Sequence, residues 1–436
     1  VIVAKDGKEM IYIPKICIIG GGSTYTPEFV DRFVQRRAQL EVGEIALFDI
    51  SAARLEVVGG LVKRMVAHAG LKTVIGTYTQ RPAAVEGAAF IISQIRVGGV
   101  DARIRDEKIP LKYDVIGQET TGPGGFMKAM RTIPVTLDIA RDVARYAPGA
   151  WYLNFTNPSG IITETLFKHT PLKVVGLCNN PINAIMGLAA FAGVTDDDVF
   201  LDWVGLNHLA WIRAAYIKGH ALSLDQMVEL AGRSDHFPFE PDLIRLLGMV
   251  PIGYLAYYYY HDQAVREAKA ATKTRGEVVK EVEGDLLKMY SDPGLVTKPP
   301  ELMKRGGAFY SEMAVRLITS LLTDRRDVQI VIAHNRGCIP DLPDDVAIEV
   351  PCVIGAHGIS PLNVGPLPQV IRPLVQTVKA YEEYAVEAGV TGSRETALKA
   401  LLTHPLVPSY AVAKPLLDEL LEANKGLLPQ FFPASH

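Results

Sequence analysis

Two short stretches carry the side chains with the most chemical reach. Gly176-Leu177-Cys178-Asn179-Asn180-Pro181 sets a thiol just beyond an apolar run, and Gly205-Leu206-Asn207-His208 sets an imidazole further along the chain. A thiolate and a neutral imidazole can ligate a divalent transition metal or act as nucleophile and base. Each alone is ordinary, since an isolated Cys commonly fills a core and an isolated His is commonly a satisfied structural residue. Neither CxxC nor HExxH spacing accompanies them. Two ligands leave a metal under-coordinated unless substrate oxygens complete the shell.

A second set lies upstream. Lys15-Ile16-Cys17-Ile18-Ile19 reads as a strand that runs into Gly20-Gly21-Gly22-Ser23-Thr24, after which Thr26-Pro27 opens a helix with Thr as cap. Such a turn lets backbone N–H groups and a helix N-terminus meet a pyrophosphate, which makes Gly20, Gly22, Ser23 and Thr24 candidate cofactor contacts. Tyr25 stands where the usual third glycine would be. Asp49 ends the next predicted strand at the distance expected for an acid that bonds a ribose 2′-hydroxyl, favouring NAD over NADP; its bland alternative is a surface turn. The glycine-dense 117–125 segment reads as a loop built for close approach to a ligand or as a mobile surface loop, and Arg96, Arg103 and Arg105 before it suit an anionic substrate. Asn154 and Asn157 end a strand at the ligand-binding edge, where they could hold a hydroxyl or simply form a turn.

The elements that must position these residues follow from periodicity. Short apolar runs at 45–49, 90–93, 151–155 and 173–177 alternate with helical patterns at 54–69 and 135–146, which predicts an α/β chain with a doubly wound parallel sheet. From about 204 the pattern changes: strands of a different sheet at 203–216, then helices near 243–249, 278–290, 311–323 and 374–388. The expected organisation is an extension over 1–14, a nucleotide-binding domain over 15–203 and a second α/β domain over 204–436 that holds substrate, metal and subunit contacts. Met10 could be the natural start. The tandem Tyr257-Tyr258-Tyr259-Tyr260 reads as a packed helix or an interface.

Composition excludes several classes. The 436 residues hold 45 Lys+Arg against 48 Asp+Glu, so there is no basic footprint for nucleic acid. No apolar run is long enough for a membrane span, and the opening residues lack the apolar core of a signal peptide, which points to the cytoplasm. The four cysteines are too few and too scattered for a disulfide framework.

Read jointly, residues 20–27, 95–98, 109–113, 117–125, 154–158, 178–181, 205–208 and 349–352 resemble glycoside hydrolase family 4, in the family's order and over most of the chain. The resemblance implies a fold like lactate and malate dehydrogenases, and glycosidase chemistry with NAD and a divalent metal such as Mn²⁺ on 6-phosphorylated sugars. This family stands outside the paired-carboxylate scheme of most glycosidases. Hydride leaves C3 for NAD⁺, the C2 proton becomes acidic, the C1–O bond breaks by elimination, water adds, and the hydride returns. By motif position Cys178 and His208 match the metal ligands, Tyr254 the base at C2, and Glu119 a residue that raises the basicity of that tyrosine. Arg103, Asn157 and Arg275 match substrate contacts, with Arg96 beside them, and Asn157 also borders the cofactor. Asn179 departs from the acid that follows the metal cysteine in α-specific members, so the chain looks like the branch acting on 6-phospho-β-glucosides. Family members are commonly homodimers or homotetramers. Competing readings are a 6-phospho-α-glucosidase or another glycosidase of the family, a 2-hydroxyacid dehydrogenase, which would need a His/Asp pair and accumulate NADH, and a non-catalytic NAD-binding sensor, which would not need Cys178, His208 and Tyr254 together.

Overall fold

The computed structural model describes residues 13–433 apart from 235, 307 and 308, so most of the predicted 1–14 extension, Met10 included, lies outside the described residues. Thirteen strands are present among the described residues: β1 Lys15–Ile19, β2 Glu44–Phe48, β3 Val74–Tyr78, β4 Phe90–Ser93, β5 Trp151–Asn154, β6 Lys173–Gly176, β7 Val199–Leu206, β8 Leu209–Ile217, β9 His220–Ala221, β10 Val250–Pro251, β11 Asp327–His334, β12 Ala347–Gly355 and β13 Gly358–Pro361. Six of them form a parallel sheet in the order β3-β2-β1-β4-β5-β6, the doubly wound order expected from the alternation of strands and helices. Strands such as Ile16–Ile19 are buried on both faces, which is why they read as unbroken apolar runs.

The sheet does not stop at residue 203. β11, β12 and β13 return from beyond it and add antiparallel to β6, giving nine strands in all. The second sheet, β10-β8-β7 with β9 on β8, carries the hairpin whose two-residue turn is Asn207-His208, with Leu206 paired to Leu209. His208 sits there at φ +63°, in the left-handed region that His tolerates better than most residues. Trp203 on β7 donates to Glu349 on β12 at 3.1 Å, so a buried polar bond links the two sheets.

Strand order reverses between β1 and β4, and ligands of open α/β sheets bind outside the carboxyl ends at such a point. The residues following β1, β4, β5 and β6 therefore share one edge, and Gly20, Arg96, Asn157 and Cys178 all lie on it. Among the described residues no helix is long and apolar enough to cross a membrane. All four cysteines are free and buried.

Candidate active site

Cys178 is the N-cap of the helix Asn179–Ala192, two residues past the end of β6. The backbone N–H groups of Asn179 and Asn180 and the side chain of Asn207 lie near its sulfur and favour the thiolate, without forming a side-chain cap. With no cation among those contacts, burial and the Glu349 charge push the thiol up. His208 is buried and stacks on Tyr254, with ring centroids 4.0 Å apart and planes 7° from parallel. Burial, then the charge of Lys128, depresses its imidazole to about 3, so the ring is neutral and a nitrogen is free of its proton, as a metal ligand requires.

Tyr254 sits in a one-turn 3₁₀ segment, Gly253–Leu255. Burial, followed by the charges of Cys178 and Tyr257, raises its phenol; the Thr120 hydroxyl bonds it and pulls the other way, and Glu119 raises it by a lesser amount. Tyr310, which hydrogen-bonds the Asn157 side chain, is raised by burial and by the same Cys178 and Tyr254 charges. Thiol, imidazole and two phenols thus form one group.

Beside it lies a buried cationic cluster centred on Glu119. This carboxylate pairs with Arg96, with Arg103 at 2.8 Å and with Lys128 at 2.9 Å. Burial opposes its ionisation, but the charges of Arg96, Lys128 and Arg103 together hold the carboxyl well below its usual range. Lys128 is lowered by burial to about 8 despite that partner. Arg103 also bonds Glu107 at 2.7 Å, and Glu107 accepts from the Gly276 N–H at 2.7 Å. Arg275, the neighbour of Gly276, is not part of the cluster: its exposed guanidinium donates to the carbonyls of Lys304 and Arg305.

The glycine-dense 117–125 segment is packed against its own chain and is not an open surface loop. Its second half is the first turn of the helix Gly122–Tyr146, and its closest approaches are to its own chain. A Cβ on Gly117 would overlap the Glu107 carbonyl, so the small residue lets the backbone cross the preceding helix and brings Glu119 to its arginines. Asn154 is likewise internal. Its amide donates to Thr156, Ser159 and Thr163, which makes it a turn residue rather than a ligand contact.

At the glycine-rich start, Gly20 has φ +87°, and both Gly20 and Gly21 donate to the Phe48 carbonyl. Thr26 is already the first helical residue, and its hydroxyl accepts from Gln94 instead of capping, so the expected Thr cap is replaced by Tyr25 at the N-cap position. Asp49 accepts from the Gly22 N–H at 3.0 Å and from Ser51 N–H at 3.0 Å, locking the turn to the end of β2. Among the described residues the Thr24 hydroxyl is buried without a partner, and Ser23 accepts from the Tyr25 N–H at 3.2 Å and, at the limit of 3.5 Å, from Arg305. An orphaned hydroxyl in a glycine turn that a strand-end carboxylate locks in place fits a dinucleotide.

For the metal, no group of three or more His, Cys, Asp or Glu side chains exists among the described residues, so Cys178 and His208 would share any ion with water and substrate oxygens. A cavity of about 270 Å³ opens beside Tyr254, between Asn180, Asn183, Phe237 and Tyr257, and among the described residues no carboxylate lines it. Lys128 and Tyr310 escaped the sequence reading, and Asn207 and Glu349 appeared there only as members of motifs, with no part in the site. Lys128 alone left a signal: one charge inside the apolar run Phe126-Met127-Lys128-Ala129-Met130 of a helix.

Similarity to known proteins agrees with this geometry. Residues 15–194 match the Family 4 glycosyl hydrolase profile, and residues 203–407 match the profile of that family's C-terminal domain. A probable 6-phospho-β-glucosidase of Bacillus subtilis is 46% identical over 96% of this chain and 98% of its own. The 6-phospho-β-glucosidase of Escherichia coli is 36% identical over 96% of both. A Thermotoga maritima 6-phospho-β-glucosidase solved with manganese, NAD⁺ and glucose-6-phosphate superposes with a TM-score of 0.89, at 36% identity over 95% of this chain and 99% of that one. Malate dehydrogenase from Cryptosporidium parvum, at 18% identity and a TM-score of 0.55, shares the fold. The chain belongs to family 4 of the glycosyl hydrolases.

Proposed function

We propose that this enzyme hydrolyses 6-phospho-β-glucosides with NAD and a divalent metal, Mn²⁺ for preference. The observation that carries the reading is the His208–Tyr254 stack beside Cys178, flanked by the Glu119 cation cluster on the ligand-binding edge of the sheet. A base, two metal-competent ligands and an anion-binding surface meet where a dinucleotide would end.

Cys178 and His208 would hold the metal; Gly20, Gly22, Ser23, Thr24 and Asp49 would hold the dinucleotide. When bound, these groups supply reversible removal of the C3 hydride, Lewis-acid polarisation of O2 and O3, and the positive charge that favours phenolate at Tyr254. Tyr254 then takes the C2 proton. Its raised affinity for protons makes the phenolate a strong base once formed, and the stack on His208 fixes the direction of its oxygen. Arg96 and Arg103, oriented by Glu119, face the 6-phosphate with planar forks. Asn157, bonded to Tyr310, orients the sugar against the nicotinamide side of the site. Arg275 reaches the phosphate only if its guanidinium leaves the Lys304 and Arg305 carbonyls.

The leaving alcohol has the cavity beside Tyr254, and no carboxylic acid is among its described lining residues. Asn179 cannot donate a proton as Asp would. Elimination from a β-anomer with water as the proton donor suits such a wall. The boundary proposed at 203 assigns the dinucleotide to 15–203 and substrate, metal and subunit contacts to 204–436, although β11, β12 and β13 complete the first sheet. The enzyme is proposed to work in the cytoplasm as a homodimer or homotetramer. The test is release of phenol from aryl 6-phospho-β-glucosides under reducing conditions with NAD⁺ and Mn²⁺. The α-anomer and the unphosphorylated glucoside should be poor substrates. Preference for the α-anomer, or turnover indifferent to NAD⁺, would refute the proposal.

A further inference from the structure

The Asn207 carboxamide can face only one way. Its Oδ1 accepts from the Gly160 N–H at 3.3 Å, and its Nδ2 donates to Glu349 Oε1 at 3.0 Å. A flipped amide would set oxygen against carboxylate and N–H against N–H, so the network decides the orientation. The same amide lies near the sulfur of Cys178. Glu349 is in turn held at Oε2 by Trp203, and Cys178, Asn207, Trp203 and Glu349 are all buried. Water cannot stand in for any member of this chain.

We propose that Glu349 is a positioning residue for the metal site: it pins the Asn207-His208 turn that carries one ligand, and through the same carboxamide it holds an N–H donor beside the other, Cys178. Strand β12 thereby reaches the metal without touching it. Partners behind a ligand commonly orient it and tune its donor strength, and their loss costs about 10–100-fold in metal affinity. The inference rests on the proposed assignment of Cys178 and His208 as ligands.

The experiment is titration of the full-length protein with Co²⁺, read by the thiolate-to-cobalt absorption band in the near ultraviolet. Wild type should show the band and Cys178→Ser should lose it; a wild type without the band would sink the ligand assignment itself. Given the band, Glu349→Gln should bind Co²⁺ about 10–100-fold more weakly, with the band moved to longer wavelength as the Asn207 amide turns away from the sulfur. Asn207→Leu should do the same. The double variant should be no weaker than Asn207→Leu alone, because the carboxylate acts through the carboxamide. Either single variant binding like wild type, or losses that add in the double variant, would overturn the positioning role. Melting temperatures measured alongside identify a variant that fails to fold, and the other single variant then decides.

Discussion

Glu119→Gln tests whether the cation cluster is held together by one carboxylate. Three buried or nearly buried cations converge on it: Arg96, Arg103 at 2.8 Å and Lys128 at 2.9 Å. Breaking a buried ion pair by removing one partner costs about 3–5 kcal/mol, because the other charge is left in a poor solvent. Here the lower end applies. Lys128 can shed its proton, since it is held only to about 8 with Glu119 present, and Arg103 keeps Glu107 at 2.7 Å. Arg96 has no second ion pair among the described residues and cannot deprotonate. With an unfolding entropy of about 2.1 cal/mol/K per residue, a chain of this size has about 0.9 kcal/mol/K, so a loss of about 3 kcal/mol lowers the melting temperature by about 3 °C. Calorimetry at neutral pH measures it. Adding Lys128→Met should restore part of the loss, because an apolar neighbour removes one unpaired charge, while activity stays low. A Glu119→Gln protein that melts with wild type, or a double variant less stable than the single one, would refute the reasoning.

Other outcomes follow from the same geometry. Tyr254→Phe keeps the stack on His208 and removes the proton acceptor, so kcat should fall about 10²–10⁴-fold with little change in melting temperature, and exchange of the C2 hydrogen with solvent should stop; an unchanged kcat would dismiss Tyr254 as the base. Asp49→Ala frees the Gly22 N–H and should weaken NAD binding, measured by fluorescence titration, with metal affinity untouched. Gly117→Ala forces a Cβ into the Glu107 carbonyl and should destabilise the protein and lower its affinity for the 6-phosphorylated substrate together. His404 is depressed to about 3 by burial, its Nδ1 accepting from Leu406 at 3.1 Å. Because the unfolded chain takes up its proton near pH 6.5 and the native state does not until about pH 3, stability should fall as pH drops through that window. The His404 share is about 2 kcal/mol between pH 7 and pH 5. His404→Gln should flatten that part of the pH dependence of chemical denaturation, and an unaltered slope would count against it.

The fold and the set of reactive groups were legible in the chain because each is written locally. Apolar runs such as Ile16–Ile19 report strands buried on both faces, and their spacing with helical patterns dictates a parallel sheet whose carboxyl edge collects Gly20, Arg96, Asn157 and Cys178. Motif order pointed to Tyr254 and His208, although nothing local said that their rings would stack. What the tertiary structure alone decided is partnership. Lys128 meets Glu119 only because the 117–125 backbone folds against the helix Gly99–Leu111, and Glu349 meets Asn207 only because a strand from far along the chain packs beside β7. Arg275, placed with the phosphate contacts by motif, turns instead to two carbonyls next to it. Sequence encodes local propensity and periodicity; the charge a buried group bears depends on neighbours brought by distant segments, and those are chosen by packing.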